Sequence, residues 1–223
     1  MLKIIRFLEF LNLSEKPSRD QMKTKSCTAS GTPQYGLALS SLVSERQVDY
    51  MQNINDGCLM TLSPITTPCC RNTFVILSTQ DESLHGEKMN YGDEFLLRAV
   101  NYGDPDAPPL YVRYTPDATP GPADRMPIRL SSTKDSNCRW TTMPLLPCDR
   151  LEGLGSPVKT GTRLIVKNCV ADKSLFVMNQ SWMQTFFGPE CGVTCRNYID
   201  IHKRYTAENI FTMVSDVATK KQG

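Results

Sequence analysis

The stretch VKTGTRLIVKNCVADKSLFV, residues 158–177, predicts a β-hairpin and decides the fold class. After a Lys-Thr-Gly turn the side chains alternate in character, so one face of an extended segment is mostly apolar and the other mostly basic. The two faces are Thr162, Leu164 and Val166 against Arg163, Ile165 and Lys167. A polar loop at residues 168–173 precedes a second apolar run, which is typical of the returning strand.

The same pattern occurs earlier in the chain, as YGDEFLLRAVNYGDPDAPPLYV at residues 91–112. Aligned on Gly92 and Gly161, the two copies place Leu97 opposite Val166 and the run from Leu110 opposite the run from Leu175. The earlier copy has a longer, proline-rich loop, where insertions are tolerated. An internal repeat of hairpins predicts a fold assembled from repeated β units.

The composition allows a packed domain and argues against several functions. The chain has 223 residues, of which 40% are hydrophobic and 22% charged, so a hydrophobic core is expected. The net charge of +2 is too small to indicate nucleic-acid binding. With 15 Pro and 13 Gly, many of them between apolar runs, the sequence favours many short strands.

The N-terminal residues predict an arm outside the β domain. Lys3, Arg6 and Glu9 interrupt the first apolar stretch, which is therefore neither a signal h-region nor a membrane span. We interpret residues 2–13 as a short amphipathic helix within an extended arm, residues 1–36. A β domain at 37–214 and a polar tail at 215–223 complete the predicted organisation.

The remaining apolar runs predict further strands, and a short helix is predicted at residues 45–53. Hairpins from three repeated units would close a barrel in a β-trefoil, with a β-sandwich as the alternative. The further strands are predicted at residues 37–39, 57–61, 71–78, 128–131, 139–143, 182–187, 192–197 and 209–214. The residues predicted to be buried are Phe74, Ile76, Leu97, Leu164, Val166 and Phe211.

Few side chains suggest catalysis or metal binding. Asp200 and His202 could form a carboxylate–imidazole pair, but His85 is the only other histidine and no nucleophile motif is present, so a surface role is favoured. Without a secretory signal, the 9 cysteines are expected to be reduced thiols. The pairs Cys69-Cys70 and Cys191-x-x-x-Cys195 fit zinc spacing poorly, and the second pair suits core thiols. We expect no disulfide, metal or cofactor.

Two Tyr-Gly-Asp segments, at residues 91–93 and 102–104, could bind a sugar, as some trefoils do, but turns held by the aspartates are the simpler interpretation. The sequons at Asn12 and Asn179 are attributed to chance, because no secretory signal is seen.

Five segments are notable for their order and spacing: RNTFVILS from Arg71, NYGDEFLLR from Asn90, LYV from Leu110, RLEGLGSPVKTGTRLIVKNC from Arg150 and FFGPECGVTCRNYIDIHKRYTAENIFTMV from Phe186. Together they resemble the cilia- and flagella-associated protein 161 family. A weaker match covers residues 37–61, and Phe211 stands where the family tends to have Trp.

The resemblance implies a β-trefoil with hairpin repeats of the MIR type and a structural, non-enzymatic role. It implies a microtubule inner protein in the A-tubule lumen of ciliary doublets, binding tubulin and neighbouring inner proteins, with no nucleic acid, membrane or small-molecule substrate. A carbohydrate-binding β-trefoil is the alternative function.

Overall fold

The computed structural model describes residues 4–11, 35–50, 52–79, 88–100, 106–115 and 128–215. These residues form two short helices, α1 (Glu45–Asp49) and α2 (Asp149–Glu152), and a sheet of 12 strands. The strands are β1 (Ile4–Leu11), β2 (Tyr35–Ser41), β3 (Met60–Ser63), β4 (Phe74–Ser78), β5 (Phe95–Ala99), β6 (Tyr111–Tyr114), β7 (Ile128–Ser131), β8 (Trp140–Pro144), β9 (Arg163–Asn168), β10 (Lys173–Thr185), β11 (Gly188–Cys195) and β12 (Ile210–Ser215).

A continuous ring of antiparallel pairings closes part of this sheet on itself. Going round the ring, β1 pairs with β4, β4 with β5, β5 with β8, β8 with β9, β9 with β12, and β12 with β1. The pairs β2–β3, β6–β7 and β10–β11 extend from the ring. The mainly β prediction is therefore confirmed, and the sheet is nearly closed and barrel-like. The sandwich alternative is wrong, because a sandwich would keep two open sheets.

The two repeated hairpins are structurally equivalent, as the sequence predicted. Gly92 and Gly161 have φ angles of +92° and +81°, a left-handed conformation that glycine adopts without strain, shortly before β5 and β9 begin. Leu97 and Val166 are both buried in one cluster. The loop between β5 and β6 is the longer one, which agrees with the insertion seen in the sequence.

One apolar cluster fills the interior, and its members are the side chains that alternate inward along the strands. Phe74, Phe95, Trp140 and Phe211 are its largest fully buried residues. The Trp140 indole Nε1 donates a hydrogen bond of 2.8 Å to the Val112 carbonyl, so the buried ring leaves no unpaired donor.

Two side chains differ from the burial pattern predicted from the sequence. Ile76 is half-buried against the main cluster, whereas its neighbours Val75 and Leu77 are buried in a second cluster on the opposite face of β4. Ile165 lies on the face that the sequence shows as mostly basic, between Arg163 and Lys167, but it is fully buried. Its cross-strand neighbours, Met143 and Ile210, are both apolar and cover it.

The predicted helix within residues 2–13 is wrong over Ile4–Leu11, which form strand β1. This strand pairs with β2, β4 and β12 and therefore belongs to the β domain and not to an arm outside it. Its apolar residues satisfy the spacing of a helix face as well as that of a buried strand, and long-range pairing decides between them. Of the rest of the predicted arm, residues 35–36 belong to β2, and residues 1–3 and 12–34 lie outside the described residues, as do residues 216–223 of the tail.

The predicted strand at residues 182–187 is the end of β10 and not a separate element. The register between β10 and β11 shifts between Met178 and Trp182, where three residues of β10 have no partner in β11. The other predicted strands are present, with bounds that differ by a few residues.

A proline in β1 tests whether this strand closes the ring. Leu8 lies opposite Thr212 on one side and Ala38 on the other. Leu8→Pro removes a backbone N–H from a strand that is paired on both sides, so we expect a loss of about 3 kcal/mol or more in the free energy of unfolding. Leu8→Val keeps the N–H and should cost less than about 1.5 kcal/mol. Urea unfolding followed by circular dichroism measures both; equal stability of Leu8→Pro and wild type would restore the arm interpretation.

An ion pair next to β6 makes stability depend on acid. Arg113 Nη2 lies 2.6 Å from Asp135 Oδ2, and Asp135 Oδ1 also accepts a 3.0 Å bond from the Asn137 amide. These bonds to the charged form, above all the one from the Arg113 side chain, lower the pKa of Asp135 to about 2. Because the pKa of Asp135 is lower in the folded state than in the unfolded chain, where it is about 3.9, the ion pair stabilises the fold at pH values above about 3.9. This stabilisation is lost as the pH falls towards 2.

Asp135→Asn keeps an acceptor for the Asn137 amide but removes the charge. We expect it to lower the free energy of unfolding at pH 7 by about 1 kcal/mol, because partial exposure screens the pair. The difference from wild type should shrink between pH 5 and pH 2 when urea midpoints are compared. A difference that is constant across this range would contradict the assignment.

Candidate binding groove

A groove of about 800 Å³ opens beside α1 and is the candidate functional site. Its walls are α1 with the segment that follows it, the loop before β4, and the loop before β6. Most of its lining side chains are apolar: Val43, Val48, Ile54, Ile65, Ala99, Val100, Ala107, Pro108, Pro109, Leu110 and Phe187. A concave, largely apolar surface with a few polar groups is typical of a binding site.

The first wall begins with a helix cap that the sequence encodes locally. Ser44 accepts a 3.3 Å hydrogen bond from the Gln47 amide, and the Gln47 side chain accepts a 3.0 Å bond from the Ser44 amide. This capping box explains why the chain turns into α1 after β2. Behind it the wall presents the carboxamides of Gln47, Gln52, Asn53 and Asn55. Carboxamides both donate and accept, so they can bond to the backbone of a bound peptide.

The second wall is held by the fully buried side chain of Asn72. Its Nδ2 donates to the carbonyls of Ile65 and Thr67 at 3.0 and 2.9 Å, and its Oδ1 accepts from the Cys69 amide at 2.9 Å. One amide side chain thereby fixes the loop through several backbone groups, and this side of the groove has a defined shape.

The third wall comes from the loop that distinguishes the two hairpins. Ala107, Pro108 and Pro109 line the groove, and the Ala99 amide donates a 2.8 Å bond to the Leu110 carbonyl. The insertion in the first hairpin is therefore part of the candidate site, whereas the shorter loop of the second hairpin does not line it.

The floor of the groove is Arg71, which belongs to a buried ion pair. Arg71 Nη2 lies 2.7 Å from Glu190 Oε1, and the Thr61 hydroxyl donates a 2.7 Å bond to Glu190 Oε2. Arg71 Nε donates to the Ser41 carbonyl at 2.9 Å. The Arg71 guanidinium also lies 3.8 Å from the centre of the Phe187 ring, a cation–π contact. The pair joins β11 to the loop before β4, and Thr61 of β3 and Ser41 of β2 are its further hydrogen-bond partners.

Breaking this pair should be costly, because Glu190 is fully buried. Arg71→Leu leaves the Glu190 carboxylate without its cation, and we expect a loss of about 3–5 kcal/mol in the free energy of unfolding. The double variant Arg71→Leu with Glu190→Leu removes both charges and should recover at least half of that loss. Urea denaturation of the full double-mutant cycle measures the coupling. A single variant within 1 kcal/mol of wild type would show that the pair contributes little.

The residues first considered for catalysis form a turn. Asp200 Oδ1 accepts from the backbone amides of His202 and Arg204 at 2.8 and 2.9 Å, and Asp200 Oδ2 accepts from Arg204 Nε at 3.0 Å. These bonds lower the pKa of Asp200, and the bond from the Arg204 backbone amide contributes most. Asp200 bonds to the His202 backbone and not to its imidazole in any bond that the structure describes. His85 lies outside the described residues.

The cysteines do not assemble a metal site in the part of the chain that is described. Cys191 and Cys195 are buried in the main cluster, as predicted for core thiols, and burial raises the pKa of Cys195 to about 12. Cys69 and Cys70 line the groove, and burial raises the pKa of Cys70. Within the described residues, no three His, Cys, Asp or Glu side chains form a group that could hold a metal ion. The expectation of no metal stays a prediction.

The first Tyr-Gly-Asp segment is a turn, as the simpler interpretation held. Asp93 Oδ2 accepts a 2.9 Å bond from the Asn90 amide, and Tyr91 is buried. The second segment begins at Tyr102, outside the described residues. The Asn179 sequon lies in β10, where the Asn179 side chain donates to Glu208 at 3.1 Å; Asn12 is not described.

Sequence reasoning missed the groove floor. Arg71 and Glu190 are far apart in the chain, and neither belongs to a motif. The available signal was weak: each is a single charge beside apolar residues, in RNTFVILS and FFGPEC.

The fold and groove define a mainly β, barrel-like domain with a peptide-sized surface site. No helix in the described part is both long and apolar enough to span a membrane. The chain matches the family model for the cilia- and flagella-associated protein 161-like domain over residues 20–119 and 122–216, and it belongs to this family.

Curated relatives carry the same name. The cilia- and flagella-associated protein 161 of Danio rerio is 28% identical over 139 residues, covering 61% of this chain and 45% of the relative. The Bos taurus protein of that name is 26% identical over 188 residues, covering 82% of this chain and 57% of the relative. The chain therefore spans about half the length of the curated relatives that it matches. Their names associate the family with cilia and flagella, and none is an enzyme name.

Two solved structures share the fold at low identity. An SDF2-like protein from Arabidopsis thaliana superposes with a TM-score of 0.55 and 12% identity, covering 95% of this chain and 92% of that one. A Caenorhabditis elegans protein of unknown function gives a TM-score of 0.58 and 11% identity, covering 96% and 93%. At this identity the likeness concerns the fold alone.

Proposed function

We propose that this chain is a structural microtubule inner protein of ciliary and flagellar doublets. It would bind tubulin and neighbouring inner proteins in the A-tubule lumen and stabilise the axoneme for motility. Family membership carries the proposal, because the match spans both halves of the chain. Catalysis is not part of the proposed role, since Asp200 and His202 form a turn and the cysteines of the main cluster are buried thiols.

We further propose that the domain is a β-trefoil of the MIR type. Its repeating units would be β1–β4, β5–β8 and β9–β12, each giving two strands to the ring and one hairpin beside it. The order of pairings round the ring and the equivalence of Gly92 and Gly161 support this division. Such a domain holds its loops in fixed positions, which suits a protein that spaces its neighbours along a lattice.

The groove would hold a segment of a neighbouring protein. Its apolar walls would bury side chains, and the carboxamides beside α1 would bond to the backbone of that segment. One such contact is weak by itself. In a regular lattice several weak contacts act together, because each one raises the effective concentration for the next.

A binding assay with detergent-extracted, salt-washed axonemes tests the role and the groove together. Val48→Arg places a charge and added bulk at the groove, and we expect it to weaken binding at least tenfold. Leu151→Arg makes a similar change at an exposed site outside the groove lining and should bind like wild type. The measurements are cosedimentation with the axonemes and the melting temperature of each variant.

The outcomes separate two failures. If Val48→Arg is folded and binds like wild type, the groove is not the interface. If wild-type protein does not bind doublets, or is found away from the axoneme on fractionation of cilia, the structural role itself is wrong.

A further inference from the structure

The outer part of the β10–β11 hairpin is a two-stranded ribbon at the end of the sheet, with one edge that is open among the described strands. Trp182–Thr185 pair with Gly188–Cys191 across a short turn. On its other side β10 pairs with β9 only at Lys173 and Ser174. No described strand lies beside the outer edge of β10 from Trp182 to Thr185.

Pro189 determines which backbone groups point towards this edge. Pro189 lies opposite Gln184 and has no N–H, so these two residues cannot form the kind of antiparallel pair that exchanges two hydrogen bonds. The N–H and C=O of Gln184 therefore point away from β11. The N–H and C=O of Trp182, two residues earlier, also point away from β11, because hydrogen-bonded and non-hydrogen-bonded pairs alternate along an antiparallel ladder. Cys191, opposite Trp182, correspondingly faces β3, where it pairs with Leu62.

The two edges of the ribbon differ in how they are protected. On the β11 side, Pro189 removes a donor, which is a common way to prevent strand addition. On the β10 side, the sequence SWMQTFF at residues 181–187 has no charged residue that would discourage pairing. Trp182 and Phe186 are 43% and 54% exposed beside this edge, although both are aromatic. The open edge thus combines aromatic surface with backbone groups that no described strand pairs.

We propose that this edge binds an extended segment of a neighbouring protein as an added β-strand. The segment would bond to the Trp182 and Gln184 backbone and would carry an uncharged, apolar side chain against the Trp182 ring. This mode of recognition uses main-chain hydrogen bonds for affinity and side-chain contacts for specificity. The proposal rests on the structural role given above, and it adds a second contact surface, the outer edge of β10, to the groove.

A neighbouring protein fits this edge better than a second copy of the chain. Only Trp182 and Gln184 offer outward backbone groups here, so pairing two such edges would bury far less than the roughly 1,200 Å² of a stable specific interface. A strand belonging to a neighbour that is already held by other contacts needs less area, because its effective concentration is high.

Amide hydrogen exchange on the full chain, alone and bound to salt-washed doublet microtubules, tests the proposal directly. In the free protein, the Trp182 and Gln184 amides should exchange quickly, while the Met183 and Thr185 amides, which point towards β11, exchange slowly. On binding, we expect exchange of the Trp182 and Gln184 amides to slow at least tenfold. Mass spectrometry with residue-level fragmentation resolves these neighbours.

Two variants at Gln184 form a matched pair. Gln184→Pro removes the outward N–H without breaking a bond of the ribbon, and it should weaken cosedimentation with doublets about three- to tenfold. Gln184→Ala keeps the N–H and should bind like wild type. Sedimentation velocity of the wild-type chain checks for self-association.

Several results would overturn the inference. Wild-type binding with no protection of the Trp182 and Gln184 amides would overturn it and leave the structural role intact. Slow exchange of these amides in the free monomer would mean that the chain itself covers the edge, and slow exchange in a dimer would assign the edge to a second copy. Failure of wild-type protein to bind doublets would overturn both proposals.

Discussion

The rest of the structure depends on β1, which closes the ring of strands. Among the described strands it is the one that joins β12, near the C-terminal end of the domain, to β4, and it also pairs with β2. Without it, β4 and β12, which carry the buried residues Phe74 and Phe211, would each lose a paired edge. Antiparallel pairing between strands that are distant in sequence therefore closes the sheet around the main cluster.

The hairpins could be predicted from the sequence and β1 could not, for a physical reason. In the segment that contains Leu164 and Val166, apolar and polar residues alternate between a glycine and a polar loop, which no helix would bury well. In IIRFLEFL, residues 4–11, Arg6 and Glu9 are three apart and the apolar residues fall on both a helical face and a strand. The local periodicity therefore does not distinguish a helix from a strand. Pairing with β4 and β12, which are distant in sequence, makes this segment a strand.

The candidate site was harder to predict than the fold. The sequence patterns first considered for a site include Asp200 with His202, Cys191 with Cys195, and the Tyr-Gly-Asp segment at Tyr91, and these form two turns and part of the core. The groove instead depends on Arg71, which meets Glu190 only because the loop before β4 lies against β11 in the folded domain. A charged residue inside an apolar run signals a partner somewhere in the fold, but it does not say where the partner lies.

Phe187 connects the groove to the open edge of the ribbon. Its ring lies over the Arg71 guanidinium at 3.8 Å, and Phe186, next to it, contacts it edge-on with ring centres 5.1 Å apart. Because Glu190 and the Ser41 carbonyl hold Arg71 in place, the tip of the β10–β11 hairpin packs against a fixed ion pair. A ribbon held in this way loses little conformational freedom when a strand is added to it, so more of the binding free energy is retained. The buried pair thus shapes both surfaces, one through Arg71 at the groove floor and the other through the position of the ribbon.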